Sequence, residues 1–246
     1  MKENLTASNI PQILFEDEYL MVIDKPSGWI VTDAATAKDQ KTVQSWIAAN
    51  LKFNSEAGYS INNLKLYRNG IVHRLDKETS GCLIIAKTSH AFENLQQQFK
   101  ERKIGKKYIA LVHGRIEPKE GTVIAEVGRL PWRRDRFGIV AGGRGSETKY
   151  KVLQYFLQFT LVECFPTTGR THQIRIHLKH IGHPIVSDTF YAGRKTSRAD
   201  RKWCPRLFLH SSKIIFSHPV SAKKIEVEAR LPEDLSSALV NLELEK

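Results

Sequence analysis

Apolar residues along the chain fall mostly in short alternating runs, with a few stretches at helical spacing. Ile13-Leu14-Phe15-Glu16 and Tyr19-Leu20-Met21-Val22-Ile23-Asp24-Lys25 predict two strands hinged at Asp17-Glu18. Lys25-Pro26-Ser27-Gly28 then predicts a turn, because Pro fixes φ and Gly supplies a permissive conformation. Thr42 is placed to cap a helix running to about Leu51, with Val43, Trp46, Ile47 and Leu51 on one face. Residues 53–66 are polar and Asn-rich and predict a loop. Cys82-Leu83-Ile84-Ile85-Ala86 is uninterrupted and predicts a buried strand. Ser89 is the expected cap of a helix over roughly 90–103, whose Ala91, Phe92, Leu95 and Phe99 make a packing stripe. Tyr108 to Gly114 alternates as a strand, with Tyr108, Ala110 and Val112 on one side. Further strands are predicted at Thr122–Val127, Thr148–Phe156 and Phe159–Phe165. The stretch from Phe165 to Leu178 predicts a strand end, a turn and a helix through about Ile181, stopped by Gly182 and Pro184. Strands near Leu207–Ser211, Lys213–Phe216 and Ile225–Ala229 and a short acidic helix after Pro232 close the chain. Many strands with few helices indicate an α+β protein. No repeat, linker or composition break interrupts the pattern, so residues 1–246 read as a single domain.

Charge changes this picture more than composition does. With 41% hydrophobic and 26% charged residues the chain is an ordinary globular one. Yet 38 Lys+Arg against 26 Asp+Glu leave a net charge of +12, which favours a polyanionic partner. A membrane surface is disfavoured, because no basic amphipathic helix with a large apolar face is present and no apolar run approaches the roughly 18 residues of a span. MKENLTASNI has no apolar core of a signal peptide. Cys82, Cys164 and Cys204 are scattered without CxxC spacing, which argues against a disulfide framework or zinc site and points to a reducing compartment, the cytosol. The basic excess is local. Lys100, Arg102, Lys103, Lys106 and Lys107 cluster at the end of the second helix. Residues 129–145 interleave arginines with Trp132 and Phe137 and then with glycines, as in a mobile loop that touches nucleic acid, and 193–206 form a second exposed basic loop. The glycines make neither GxGxxG nor a phosphate-binding loop.

Two dense polar stretches carry the candidate chemistry. In His73-Arg74-Leu75-Asp76-Lys77-Glu78-Thr79-Ser80-Gly81, Asp76 stands at the mouth of the buried strand with Arg74 and Lys77 close by, and reads as a carboxylate kept charged. The competing reading is a loop Asp making an Asx-turn around Thr79. Tyr108 is either a strand aromatic or a flat ring against which a base stacks. Arg170, Thr171, His172 and Gln173 stand at a predicted helix N-terminus, where unpaired N–H groups suit phosphate. Arg175 and Lys179 share one face of that helix, with Ile174, Leu178 and Ile181 on another. His172, His177, His180 and His183 match no standard zinc spacing, and no metal site is expected.

Taken together, these stretches resemble the RluA-type RNA pseudouridine synthases. The His73–Gly81 stretch resembles their signature loop, Lys25-Pro26-Ser27-Gly28 their first motif, and Lys106-Lys107-Tyr108-Ile109-Ala110-Leu111-Val112-His113-Gly114 their K-x-Y-x-A-x-V-x-G strand. Thr168 to Leu178 is similar to the final motif, continued by Gly182-His183-Pro184-Ile185, Asp188 and Tyr191, and Leu209-His210-Ser211 fits as well. The resemblance implies a bent, mostly antiparallel mixed sheet with flanking helices and a basic central cleft. It implies that the uracil of a chosen uridine is detached from C1′ of its ribose, turned, and rejoined through C5, with no cofactor. Asp76 then matches the catalytic aspartate, Tyr108 the aromatic beside the target base, and Arg175 the arginine paired with that aspartate. Arg74 matches a residue reaching into the RNA stack, and His73, Lys106, Arg170, Thr171, His172 and Gln173 join it as expected RNA contacts. The expected partner is structured RNA, ribosomal or transfer, with 23S rRNA slightly favoured; neither DNA nor a membrane is expected, and a monomer is the default. With the first strand near Ile13, no N-terminal S4 domain is expected, so RNA affinity is assigned to the basic loops 129–145 and 193–206. The alternative is a non-catalytic RNA-binding or ribosome-assembly protein on the same fold. A hydrolase is disfavoured, since only Glu78 accompanies Asp76 where such enzymes want clustered or paired carboxylates.

Overall fold

The computed structural model describes residues 10–32, 41–50, 68–240 and 242–244, and the polar segment 53–66 lies outside them. Among the described residues the elements in chain order are β1 (Gln12–Glu16), β2 (Leu20–Lys25), α1 (Val43–Asn50), β3 (Ser80–Ala86), α2 (Ser89–Lys100), β4 (Gly105–His113), β5 (Glu120–Leu130), β6 (Arg133–Ile139) and β7 (Arg144–Tyr155). They continue with β8 (Phe159–Pro166), α3 (Gln173–His180), α4 (Arg194–Asp200), β9 (Leu209–Ser217), β10 (Lys224–Glu228) and α5 (Glu233–Val240). This is an α+β protein, and no described helix is long and apolar enough to cross a membrane. The chain forms two compact units, each assembled from two stretches: residues 1–105 with 211–230, and 106–210 with 231–246.

In the first unit β1, β2 and β3 form antiparallel ladders, with Ile13 opposite Ile23 and Val22 opposite Ile84. β10 pairs antiparallel with β9, from Lys224–Ser217 to Glu228–Lys213. All seven residues of β3 are buried, as the uninterrupted apolar run predicts. Leu20, Val22, Cys82 and Ile84 pack under Ala91, Phe92 and Leu95 of α2 and against Ile214 and Phe216 of β9. The cap of α2 is Thr88, one residue before the expected Ser89: its extended backbone lets the side-chain oxygen accept the Ala91 N–H at 3.2 Å. Thr42 caps α1 as expected, accepting the Ser45 N–H at 3.0 Å.

In the second unit β4, β8, β7, β5 and β6 pair in that order, all antiparallel, and α3 packs against β5 to β8. Two expectations are corrected here. The segment read as a mobile basic loop, 129–145, is mostly strand: Arg129 pairs with Phe137 and Val127 with Ile139, because Phe137 packs on Val127, Ile176 and Tyr191 and pins the hairpin to α3. The loop read over 193–206 contains α4, whose last residue Asp200 is buried and accepts the Ser187 N–H at 2.9 Å while bonding His113 at 3.0 Å. Helix α3 also differs from its expected two-faced pattern, since Gln173 to Leu178 are all buried, Arg175 among them.

Candidate active site

In the first unit, the loop leading into β3 is held by its backbone. Lys25, at the end of β2, is fully buried and its ammonium donates to three carbonyls: Pro26 at 2.9 Å, Trp29 at 2.9 Å and Lys77 at 3.2 Å. The Gly28 N–H also donates to the Lys77 carbonyl at 2.8 Å, and the Ser27 hydroxyl donates to that of Glu78 at 2.8 Å. The Lys25-Pro26-Ser27-Gly28 turn is therefore the strap that carries the Asp76 loop. Such carbonyls find no solvent when buried, so a charged donor shared among them is worth more than a surface bond. Upstream, the Ile84 N–H donates to His73 Nε2 at 2.9 Å and the imidazole lies 4.7 Å from the Phe99 ring, tying the loop's start to β3 and α2. Downstream, Gly81 has φ +112, and a Cβ there would lie 2.2 Å from the Ser211 carbonyl oxygen, so glycine alone fits the close approach to β9. The turn itself closes through the Asp76 carbonyl, which accepts the Thr79 N–H at 3.1 Å. Within this frame Leu75 is buried, Asp76 is half-buried, and Arg74 and Lys77 are exposed.

In the second unit, a side chain rather than a backbone is immobilised. Arg175 of α3 is 4% exposed and forks onto Asp188, Nε to Oδ2 at 2.8 Å and Nη2 to Oδ1 at 2.8 Å. Its guanidinium lies 5.2 Å from the ring of Phe190 and 5.1 Å from that of Tyr191. The Tyr191 hydroxyl donates to the Phe137 carbonyl at 3.0 Å, so at 2.9 Å it accepts from His172 Nδ1, which fixes the proton on that nitrogen. His172 itself adopts φ 57 at the start of α3. The turn before α3 is stapled by Gln173: its Oε1 accepts from the Thr168 hydroxyl and the Arg170 N–H, and its Nε2 donates to the Glu147 carbonyl and Thr148 Oγ1. Both lone pairs and both protons of that amide are used, so Gln173 builds the turn and has no capacity left for RNA. Arg170, half-buried, donates from Nε to the Gly145 carbonyl at 3.3 Å, and Thr171 is half-buried beside it.

Tyr108 and Lys106 share one side of β4 by the two-residue period. Tyr108 is 8% exposed, and Lys106 donates to the Thr168 carbonyl at 3.1 Å. Burial pushes the Lys106 ammonium down to about 8. Burial, then the charge of His180, pushes His177 down to about 4; its Nε2 meets the Ser146 hydroxyl at 2.8 Å. Burial raises the thiols of Cys82 and Cys164 to about 12 and that of Cys204 to about 11, so none of them is a nucleophile at neutral pH. Among the described residues no group of His, Cys, Asp or Glu is arranged to hold a metal ion. Lys25 and Asp188 stand out in the sequence only as members of motifs; a lysine ending an apolar strand directly before Pro is the one local sign of the first, and nothing local marks the second.

Residues 19–180 match the family model described as RNA pseudouridylate synthase. The ribosomal large subunit pseudouridine synthase D of Nitrosomonas europaea is 40% identical over 95% of this chain and 66% of its own length. A Bacillus subtilis protein named uncharacterized RNA pseudouridine synthase YlyB is 37% identical over 94% of this chain and 72% of its own. Among solved structures, that titled human RNA pseudouridylate synthase domain containing 1 superposes with a TM-score of 0.70 at 25% identity, covering 98% of this chain and 91% of that one.

Proposed function

Because the chain belongs to the RNA pseudouridylate synthase family and is an isomerase of that class, we propose that it converts chosen uridines of a structured RNA to pseudouridine with Asp76 as the catalytic carboxylate. The large-subunit ribosomal RNA named for the Nitrosomonas europaea relative is the substrate favoured over transfer RNA. The observation that carries the reading is the Lys25 strap: three carbonyls converge on a buried ammonium to fix a loop that holds Asp76 half-buried between the exposed cations Arg74 and Lys77. A rigid mount of this kind serves a group that must meet a carbon atom at a set angle.

In the proposed reaction Asp76 attacks the ribose or the uracil, or takes a proton from the sugar, and the uracil leaves C1′, turns and rejoins through C5. The C1′–N1 bond is exchanged for a C1′–C5 bond, C5 gives up its proton and N1 takes one, so the composition of the substrate is unchanged. Reaching the base requires flipping it out of its stack at about a few kcal/mol, which an inserted Arg74 and a Tyr108 ring offset. Arg74 is exposed at the loop's surface, as an inserting side chain must be. Arg175 is assigned to the Asp76 carboxylate, and Lys106, Arg170 and His172 to the RNA.

The decisive variant is Asp76→Asn. Total RNA from a strain lacking the gene, treated with purified protein and mapped by chemical derivatisation of pseudouridine, is expected to gain sites with the wild type and none with Asp76→Asn, at RNA affinity within about threefold. New sites made by Asp76→Asn would refute the assignment. RNA bound tightly by the wild type with no new site anywhere would move the protein to the non-catalytic reading.

A further inference from the structure

We propose that Asp188 is a positioning residue of this active site: by its buried fork it sets the plane and direction in which Arg175 presents its remaining N–H donors. The inference rests on the reading of Arg175 given above and goes beyond it in assigning what holds that arginine.

Asp188 is fully buried, and its two oxygens accept four hydrogen bonds. Two come from Arg175; the others come from the Phe190 N–H at 2.9 Å and the Tyr191 N–H at 3.1 Å. The carboxylate is itself held by its own turn, since the Asp188 N–H donates to the Ile185 carbonyl at 3.2 Å and the Asp188 carbonyl accepts from Ala192 at 3.0 Å. The same short loop thus supplies the acid that forks the guanidinium and, through Phe190 and Tyr191, two rings that lie close to it. A guanidinium is planar and has five N–H donors; a fork through Nε and Nη2 consumes two and fixes the direction of the other three. A point charge would need only a carboxylate nearby. This arrangement instead fixes orientation, which matters when the donors must meet a reacting carboxylate or phosphate. Neutralisation follows too: Asp188 cancels the charge of a buried cation, so Arg175 acts through directed hydrogen bonds more than through net charge.

A purely structural salt bridge would lower stability when broken and leave the chemistry of the folded fraction alone. The test separates these in single-turnover reactions at saturating RNA, with RNA affinity and thermal midpoint measured on the same preparations. Asp188→Asn is expected to slow the chemical step about 30- to 100-fold while RNA affinity changes by less than about threefold. Asp188→Glu retains the acid but displaces the fork by one methylene; it is expected to slow the step about tenfold or more, and it carries the test if Asp188→Asn does not fold. In an Arg175→Lys background, Asp188→Asn is expected to cost less than about threefold further, because the group it positions is gone. A folded Asp188→Asn or Asp188→Glu at the wild-type rate overturns the inference, as does a full additional loss in the Arg175→Lys background. Arg175→Lys alone keeps the two readings apart. Wild-type turnover there removes Arg175 from the machinery, whereas a slow Arg175→Lys beside a fast Asp188→Asn leaves Arg175 in place and overturns only the role of Asp188.

Discussion

The loop of Asp76 and the cage of Arg175 hold one candidate residue each, in opposite ways. At Asp76 the protein immobilises backbone: Lys25 gathers three carbonyls, and His73 and Gly81 anchor the two ends. The carboxylate is left half-buried at the tip. At Arg175 the protein immobilises the side chain: an acid grips one edge, two rings lie close by, and the residue is almost wholly buried. The difference follows from length. An aspartate has two side-chain torsions, so fixing its Cα nearly fixes its oxygens. An arginine has four and loses about 2 kcal/mol of rotamer freedom on ordering, so its head must be held where it works.

The largest effect should come from breaking the backbone clamp. Lys25→Met removes a fully buried charged donor shared by three carbonyls, and a loss of about 3–5 kcal/mol in stability is expected by denaturant titration. Turnover of the folded fraction should fall with it while RNA affinity stays within about threefold, because the loop, not the basic surface, is disturbed. A stable Lys25→Met with normal turnover would show that the loop holds itself.

A smaller effect is expected from Lys106, a half-buried cation of the second unit whose ammonium donates to the Thr168 carbonyl. Burial has lowered its pKa from 10.5 to about 8. A phosphate beside it stabilises the protonated form and raises the pKa again, so binding takes up a proton. RNA affinity is then at its full value below about pH 8 and falls by about tenfold as pH rises toward 9.5, measured at constant ionic strength. Lys106→Arg, protonated throughout, should flatten that limb. An unchanged slope in Lys106→Arg would assign it to another group.

The smallest expected effect sharpens the side-chain clamp. Tyr191→Phe keeps the ring beside Arg175 but deletes the hydroxyl that joins the Phe137 carbonyl to His172. Stability should drop by about 1 kcal/mol and turnover by about threefold or less, since the fork to Asp188 remains. A loss as large as that from Asp188→Asn would mean that the β5–β6 hairpin, not the acid, orients the arginine.

What the sequence determined by itself was local. Strand and helix patterns indicated β1 to β5, β7, β8, β10, α1, α2, α3 and α5 within a few residues, and two short strands where β9 runs unbroken from Leu209 to Ser217, because each buries a face whose apolar spacing is written in consecutive residues. The motifs likewise marked Asp76, Tyr108 and Arg175 as residues to watch. Tertiary structure alone decided the rest. Residues 129–145 look like a loop because arginines and glycines outnumber apolar residues there; they form strands because Phe137 finds Tyr191 and Ile176, far away in sequence. The 193–206 stretch holds a helix because Asp200 is drawn into the core by Ser187 and His113. No composition break marks residues 105–106, 210–211 or 230–231, where the chain passes between its two units. Gln173 looks like an RNA contact until Thr168, Glu147 and Thr148 claim its amide. The partners that matter most, Lys25 with Lys77 and Arg175 with Asp188, are 52 and 13 residues apart. A polar residue's partner is set by where the chain returns in space, and that information is absent from spacing along the chain.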